Sequence, residues 1–416
     1  SSPPPSLPST GPPVSSTILV VGACCADVIL SVSKYPPPDS KTRSHSRLVT
    51  GGGNAANTAV TIARLGAMNL TTSPEQPQTS TNQTPPFVAT SSLLSKIGSD
   101  AVGQNLLSDL KKSRVATSSL SIVDGTTSIT TVIVDQTSHT RTCIFSPGTC
   151  GDLTPHDIDT SSNSRNDYNF LENVVHIHSD SRHSEAALHL IRNANETHPN
   201  ITVSIDVERD RPPFVAELLP YCDTVFTNSD VMEPFVLEHE PILFGNLNYE
   251  EDAKGSLERK AERFLRVLTA LRKNHPSASQ NITPELIVTA GNEGAIHARL
   301  GPEGDIIITH VAPLDVPSSS IIDTTGAGDA FIGGYLFWDI VSGHENTELS
   351  RHEQANHNLR FGTWVAGHQI QGLGAWTETL PTWDDITALG HKALDRNKDN
   401  CLAAINQHLT QLIAVD

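Results

Sequence analysis

Apolar residues in this chain gather in short β-branched runs, separated by longer stretches with helical spacing. Thr17–Gly22 is an apolar run ending in glycine, as expected for a strand buried on both faces. Similar runs lie at Val174–Ile177, Thr202–Val207, Thr224–Thr227 and Leu286–Thr289, with helical patterns between them. Strands alternating with helices predict βαβ units and an α/β architecture around a mainly parallel sheet. Two segments depart from this pattern. Residues Asp27–Thr50 alternate irregularly around Pro36-Pro37-Pro38 and read as strands that leave the core. Ser128–Val134 and His139–Phe145 flank Asp135–Ser138 and predict a β-hairpin.

Other stretches carry little apolar patterning. Residues 1–16 are rich in Ser and Pro and are expected to be a disordered lead-in, with one domain from 17 to 416. They lack the arginines usual in an organelle transit segment, so a cytoplasmic location is expected. Residues 70–86, rich in Thr, Ser, Gln and Pro, read as a low-complexity loop insertion. Residues from about 237 to 258 are polar and acidic and read as a second insertion.

The chemistry concentrates in two runs. Residues 321–336 read Ile-Ile-Asp-Thr-Thr-Gly-Ala-Gly-Asp-Ala-Phe-Ile-Gly-Gly-Tyr-Leu. A turn of small residues opens an apolar helix, so the N–H groups of Gly326, Ala327 and Gly328 are free to converge on an anion. Asp329 follows in the first helical turn, where its ionised form is favoured. An anion hole beside a carboxylate suits phosphoryl transfer: the amides hold the phosphate and the carboxylate takes a proton from the attacking hydroxyl. The run is not Gly-x-x-x-x-Gly-Lys-Ser/Thr, and Phe331 stands where a dinucleotide fingerprint needs its third glycine. The second run, residues 51–66, puts three glycines before a helix of small residues closed by Gly66. Asn54 and Asn57 share one face of its first turn and offer donors and acceptors suited to sugar hydroxyls; the run also reads as an Asn-capped packing helix.

These two runs, in this order, resemble the two signatures of the ribokinase-like (PfkB) carbohydrate kinases. The resemblance covers about residues 17–381 outside the insertions. It implies the ribokinase-like fold: a central mainly parallel sheet between helical layers, with a small β-sheet lid from about 28–50 and 126–145. Within the family the likeness is greatest to ketohexokinases, through Ser33-Lys-Tyr-Pro36, Asp39-Ser40, Arg43, Val175-His-Ile177 and Val203–Glu208. It implies sugar binding by Asp27, Asp39, Gly53, Asn54 and Asn57, with Arg182 facing substrate or phosphate, or else paired with Asp180. It implies nucleotide contacts from Asn228 and from the Thr289-Ala-Gly291-Asn-Glu-Gly294 loop, where Gly326 and Gly328 also contribute. Asp206 and Glu208 alternate on one strand, point the same way and are candidates to hold Mg²⁺ through water. Asp323 and Thr325 match positions that hold a monovalent cation, K⁺, in some ribokinases. Val231 replaces the glutamate that ribokinases place after Asn228, which favours the ketohexokinase likeness and weakens the metal assignment.

Composition narrows the partners. A net charge of −18 without a block of Lys or Arg argues against nucleic acid and anionic membranes. No stretch approaches the ~20 apolar residues of a membrane span. Six cysteines without a Cys-x-x-Cys pair read as mostly buried thiols in a reducing compartment. The expected enzyme uses ATP and Mg²⁺ to phosphorylate a primary hydroxyl of a furanose-like sugar, with a ketohexose such as fructose favoured over ribose or a nucleoside. A kinase-like scaffold is the rival reading, but scaffolds tend to lose the base or the anion hole, and Gly326, Gly328 and Asp329 are all present. Open lid edges need covering, so a homodimer through the lid is expected.

Overall fold

Apolar strands in a parallel sheet are buried on both faces only if helices cover both sides. The computed structural model describes residues 14–67, 87–138, 140–161, 169–209, 214–244, 256–275, 283–343, 350–393 and 401–413. In chain order the first half comprises β1 (Val14–Val21), β2 (Cys25–Val32), β3 (Ser46–Gly52), α1 (Asn54–Leu65), β4 (Phe87–Gly98), α2 (Ala101–Lys112), β5 (Leu120–Val123), β6 (Ile129–Asp135), β7 (Thr140–Ser146) and α3 (Pro155–Ser161). There follow β8 (Val174–Ser179), α4 (Ser184–Thr197), β9 (Thr202–Val207), α5 (Phe214–Leu218), β10 (Thr224–Asn228), α6 (Ser229–Phe244), α7 (Leu257–Asn274), β11 (Glu285–Thr289), β12 (Ala295–Leu300) and β13 (Ile306–Val311). The chain closes with α8 (Ala327–Gly343), α9 (Arg351–Gln369), α10 (Trp383–Ala393) and α11 (Cys401–Leu412).

Nine strands form the central sheet in the order β13-β12-β11-β10-β9-β8-β1-β4-β5. All neighbours are parallel except β11–β12 and β12–β13. The links on either side of β12 are too short for a parallel crossover and allow only hairpins. Ile18 to Val21 of β1 are fully buried. Ile18 and Val20 join the core formed with α1, α8 and α9, while Leu19 and Val21 join the core under α4, α6 and α7.

Four strands leave this body as a second sheet, in the order β3-β2-β6-β7. Its hairpins are antiparallel and its central pair, β2 and β6, is parallel. Residues align across it in rows, such as Thr50–Asp27–Thr130–Phe145 and, on the opposite face, Val49–Val28–Thr131–Ile144. This is the expected lid, and the whole is the expected fold.

Some boundaries differ from expectation. The lead-in ends before Val14, because Val14, Ser15 and Ser16 pair with Phe87, Val88 and Ala89. Helix α6 continues through Phe244, where a polar insertion was expected from Leu237. Residues 245–255 of that insertion, residues 70–86 and residues 1–13 lie outside the described residues.

The C-terminal helix is fastened by one aromatic group. Trp338 of α8 is fully buried, stacks on Phe361 of α9 with centroids 4.4 Å apart, and donates its indole N–H to Asn406 of α11 at 3.0 Å. Trp338→Ala is expected to lose about 3–5 kcal/mol of stability in urea unfolding. Trp338→Phe should lose less while leaving the Asn406 oxygen unmet, at about 1–3 kcal/mol.

Candidate active site

Ligands of α/β sheets gather beyond the C-terminal ends of the strands, where helix N-termini also point. Here the ends of β9, β10 and β11, the starts of α1 and α8, and the lid enclose a cleft of about 440 Å³. Asp27, Gly53, Asn54, Asn57, Arg182, Asp206, Glu208, Asn228, Thr289, Thr325, Gly326, Ala327, Gly328 and Asp329 all line it.

At the start of α8, Gly326 has φ +73°, and a Cβ there would lie 2.7 Å from the Ala375 methyl. At Gly328 a Cβ would meet nothing within 4 Å, because that side opens into the cleft. The helical ladder begins with Ala330 N–H to Gly326 O at 2.8 Å, so the N–H groups of Gly328 and Asp329 precede its first rung. The Ala327 N–H differs from expectation: it donates to Thr324 O at 3.3 Å and closes the turn.

Asp329 is 8 % exposed, and its Oδ2 accepts from Asn57 Nδ2 at 2.8 Å. Burial pushes its carboxyl up to about 8. The Asn57 hydrogen bond and Arg182 oppose this rise, while the Glu208 and Asp180 carboxylates add to it. A carboxyl so placed can exchange a proton near neutrality.

The glycines before α1 are each fitted to a neighbour. A Cβ on Gly51 would strike the Trp376 ring at 2.2 Å, one on Gly52 the Asp27 carboxyl at 2.3 Å, and one on Gly53 the Ala23 carbonyl at 2.5 Å. Asp27 is thereby held against the loop, and burial lifts its carboxyl to about 6, opposed by hydrogen bonds from Cys25 and Thr130. The Asn57 amide serves the protein on both ends: besides meeting Asp329, its Oδ1 accepts from Trp376 Nε1 at 2.8 Å. Asn54 keeps its expected place on the cleft wall.

On the opposite wall, Arg182 Nη2 donates to Glu208 Oε2 at 2.8 Å, so its carboxylate partner is Glu208. Asp180, 1 % exposed, instead accepts from the N–H groups of Ala23 at 2.8 Å, Ala55 at 3.1 Å and Arg182 at 2.9 Å. It ties the end of β1 to the start of α1. Asp206 and Glu208 face the cleft together, as their alternation predicts. Among the described residues no three His, Cys, Asp or Glu side chains converge to hold a metal unaided.

Four expected site residues lie elsewhere. Asp39 is exposed in the loop between β2 and β3, at φ +60°, away from the cleft lining. Gly294 is required by the β11–β12 hairpin, where a Cβ would lie 2.1 Å from Val311 O, and Gly291 sits in the same turn at φ +55°. Asp323 braces the loop ahead of α8: it accepts from Thr325 N–H at 2.9 Å, Thr325 Oγ1 at 2.7 Å and Gly374 N–H at 3.0 Å. Asn228 lines the cleft, yet its Oδ1 also accepts from the N–H groups of Asp230 and Val231, capping α6.

Two residues emerge only from the structure, Trp376 and Arg141, while Asp180, offered by the sequence only as a partner for Arg182, ties backbone N–H groups together instead. Arg141 on β7 donates to Thr324 Oγ1 at 2.7 Å and lies 3.9 Å from Asp323, so it bridges the lid to the loop before α8. The period-two pattern of Arg141, Cys143 and Phe145 was its one sequence signal, since all three line the cleft. Trp376 follows α9 in a loop without periodicity and had none.

Residues 15–383 match the profile of the pfkB family of carbohydrate kinases. The chain is 24% identical to mouse ketohexokinase over 86% of its own length and 97% of that protein. It is also 24% identical to a nucleoside kinase of Methanocaldococcus jannaschii, over 89% of this chain and 95% of that one. Its fold is similar to that of a ribokinase from Giardia lamblia, with a TM-score of 0.66, 16% identity, and 91% and 99% of the two chains covered.

The raised Asp329 carboxyl has a consequence for stability. The folded chain holds this proton up to about 8, whereas an unfolded carboxyl releases it near 3.8. Folding stability therefore falls as pH rises through that window. Asp329→Asn, which carries no charge, is expected to melt above the native protein at pH 8, with the gain vanishing toward pH 4. A gain independent of pH in calorimetry would contradict the buried ionisation.

Proposed function

Because the chain belongs to the pfkB family of carbohydrate kinases, we propose that it transfers the γ-phosphoryl group of ATP to a primary hydroxyl of a ketohexose such as fructose. One observation carries this reading: Asp329 shares a single cleft with the open face of Gly328 on one side and with Asp27 and Asn54 on the other.

Asp329 takes the proton of the attacking hydroxyl, within a site where burial keeps its basicity high. The N–H groups at the start of α8, with the helix dipole, offset charge growing on the phosphoryl oxygens. Asp27 accepts from sugar hydroxyls and Asn54 orients the ring. Lid closure excludes water, which would compete as acceptor, and Arg141 latches the lid beside the anion hole.

Kinases of this family use ATP, typically with Mg²⁺. Asp206 and Glu208 suit that ion, which takes one or two protein carboxylates and completes its shell with water and phosphate oxygens. Mg²⁺ would neutralise phosphate charge. The fit for K⁺ is poorer: both Asp323 oxygens already accept hydrogen bonds and Oδ1 lies 3.9 Å from the Arg141 guanidinium, so no step is assigned to a monovalent cation.

The ketohexose preference rests on the ketohexokinase-like stretch around Ser33–Pro36 and on the similarity to the mouse enzyme. A homodimer through the lid is supported by its outer face. There Val49, 53 % exposed, and Ile144, 48 % exposed, flank Val28 and Thr131 in one cross-strand row. Light scattering is expected to give twice the monomer mass at micromolar protein, and Ile144→Asp to halve it; a monomeric native chain would exclude the lid dimer.

A coupled ADP-release assay over fructose, tagatose, ribose and adenosine tests the acceptor. Fructose is expected to give the highest kcat/KM; turnover confined to ribose or adenosine would reassign the acceptor. Asp329→Asn should lower kcat by about 10²–10⁴-fold with ATP affinity unchanged. The kcat/KM of the native enzyme should climb with pH, reach half its plateau near 8 and level off above it, because the base must be ionised to act.

A further inference from the structure

The Trp376–Asn57–Asp329 chain has a directional logic. An indole N–H only donates. The Asn57 atom 2.8 Å from Trp376 Nε1 must therefore be the carbonyl oxygen, which turns the NH₂ group toward Asp329. The assignment follows from the tryptophan, since the two ends of a carboxamide are otherwise interchangeable. A carboxylate can accept from that NH₂ group, whereas the reversed amide would present an oxygen and favour a carboxylic acid.

The tryptophan is itself fixed. Its ring covers Gly51, where any Cβ would collide with it. The segment carrying it is anchored around Gly374, whose N–H donates to Asp323 at 3.0 Å and whose carbonyl accepts from Gln369 Nε2 at 2.8 Å. Ala375, next in line, is the residue that confines Gly326. One loop after α9 thus supports both the anion hole and the amide that faces the base.

We propose that Trp376 is a positioning residue for proton transfer: its indole N–H locks the Asn57 carboxamide in the orientation that keeps Asp329 a proton acceptor. The inference rests on the reading of Asp329 as the base. The other charged groups facing Asp329 are Glu208, Asp180 and Arg182. Asp27, Asp206, Arg141 and Arg209 line the same cleft. Trp376→Phe alters none of them and keeps a ring over Gly51.

Two readouts test it. With ¹³C-labelled aspartate, the Asp329 carboxyl, assigned by its loss in Asp329→Asn, is expected to titrate about one pH unit higher in Trp376→Phe than in the native chain. This measurement needs no turnover, so it judges the tryptophan separately from the kinase reading; an unchanged midpoint overturns the proposal. In the acceptor assay, Trp376→Phe should lower kcat/KM about tenfold on the acid limb, with its plateau at high pH retained and ATP affinity unchanged. Asn57→Ala should abolish the difference between Trp and Phe at position 376, because the effect passes through the amide. A tenfold loss that persists in the Asn57→Ala background would show that Trp376 acts by another route and would also overturn the proposal. A native enzyme whose turnover survives Asp329→Asn would remove the base assignment itself.

Discussion

A carboxylate buried at the start of a helix is the constraint around which this protein is arranged. Taken out of water, Asp329 resists ionisation, and burial drives its carboxyl up to about 8. It remains usable as a proton acceptor because a hydrogen-bond donor, Asn57, stands 2.8 Å away, and because the helix start favours negative charge. Placing both requires that α1 and α8 enter the site from opposite sides of the chain and meet at their N-termini. The small residues of α1, among them Ala55, Ala56 and Ala59, and the glycines of α8 allow that approach: a Cβ on Gly333 would come within 2.8 Å of Thr61.

Asp180 performs the matching task on the other side of β1. Its carboxylate collects N–H groups from Ala23, Ala55 and Arg182, so a single buried charge fixes the strand end, the helix start and the arginine loop. Its partners are donors that the turn would otherwise leave unmet, which is how a nearly inaccessible carboxylate is tolerated. The lid adds the remaining wall through Thr130, Val132, Cys143 and Phe145, and Arg141 links it to the loop before α8. The cleft thus lies between the ends of the central strands and a thin second sheet.

Much of this was legible in the chain. The run from Gly326 to Asp329 announced a helix N-terminus with a carboxylate beside it, and Gly51 to Asn57 announced a close-packed loop entering a helix. Both are local: spacing of a few residues fixes which groups share a turn. Strands β8 to β11 were legible because burial on both faces demands continuous apolar runs. Strands β12 and β13 escaped notice because polar residues such as His297, Arg299 and His310 interrupt them. Arg182 was read as facing substrate or phosphate or as paired with Asp180; the structure gives its guanidinium a partner the sequence did not suggest, Glu208.

The sequence by itself determined strands β8 to β11, the mainly parallel character of the sheet and the helix start at Gly326–Asp329, since each leaves a local pattern of apolar or small residues. Tertiary structure alone decided the rest. It gave Trp376 to Asn57 across 319 positions, and Arg141 to Thr324 across 183, and it set Asp39 outside the cleft while bringing Asp206 and Glu208 into it. Hydrogen bonds of that reach leave no periodic trace in the chain, because their partners meet only after the sheet has brought its strand ends together.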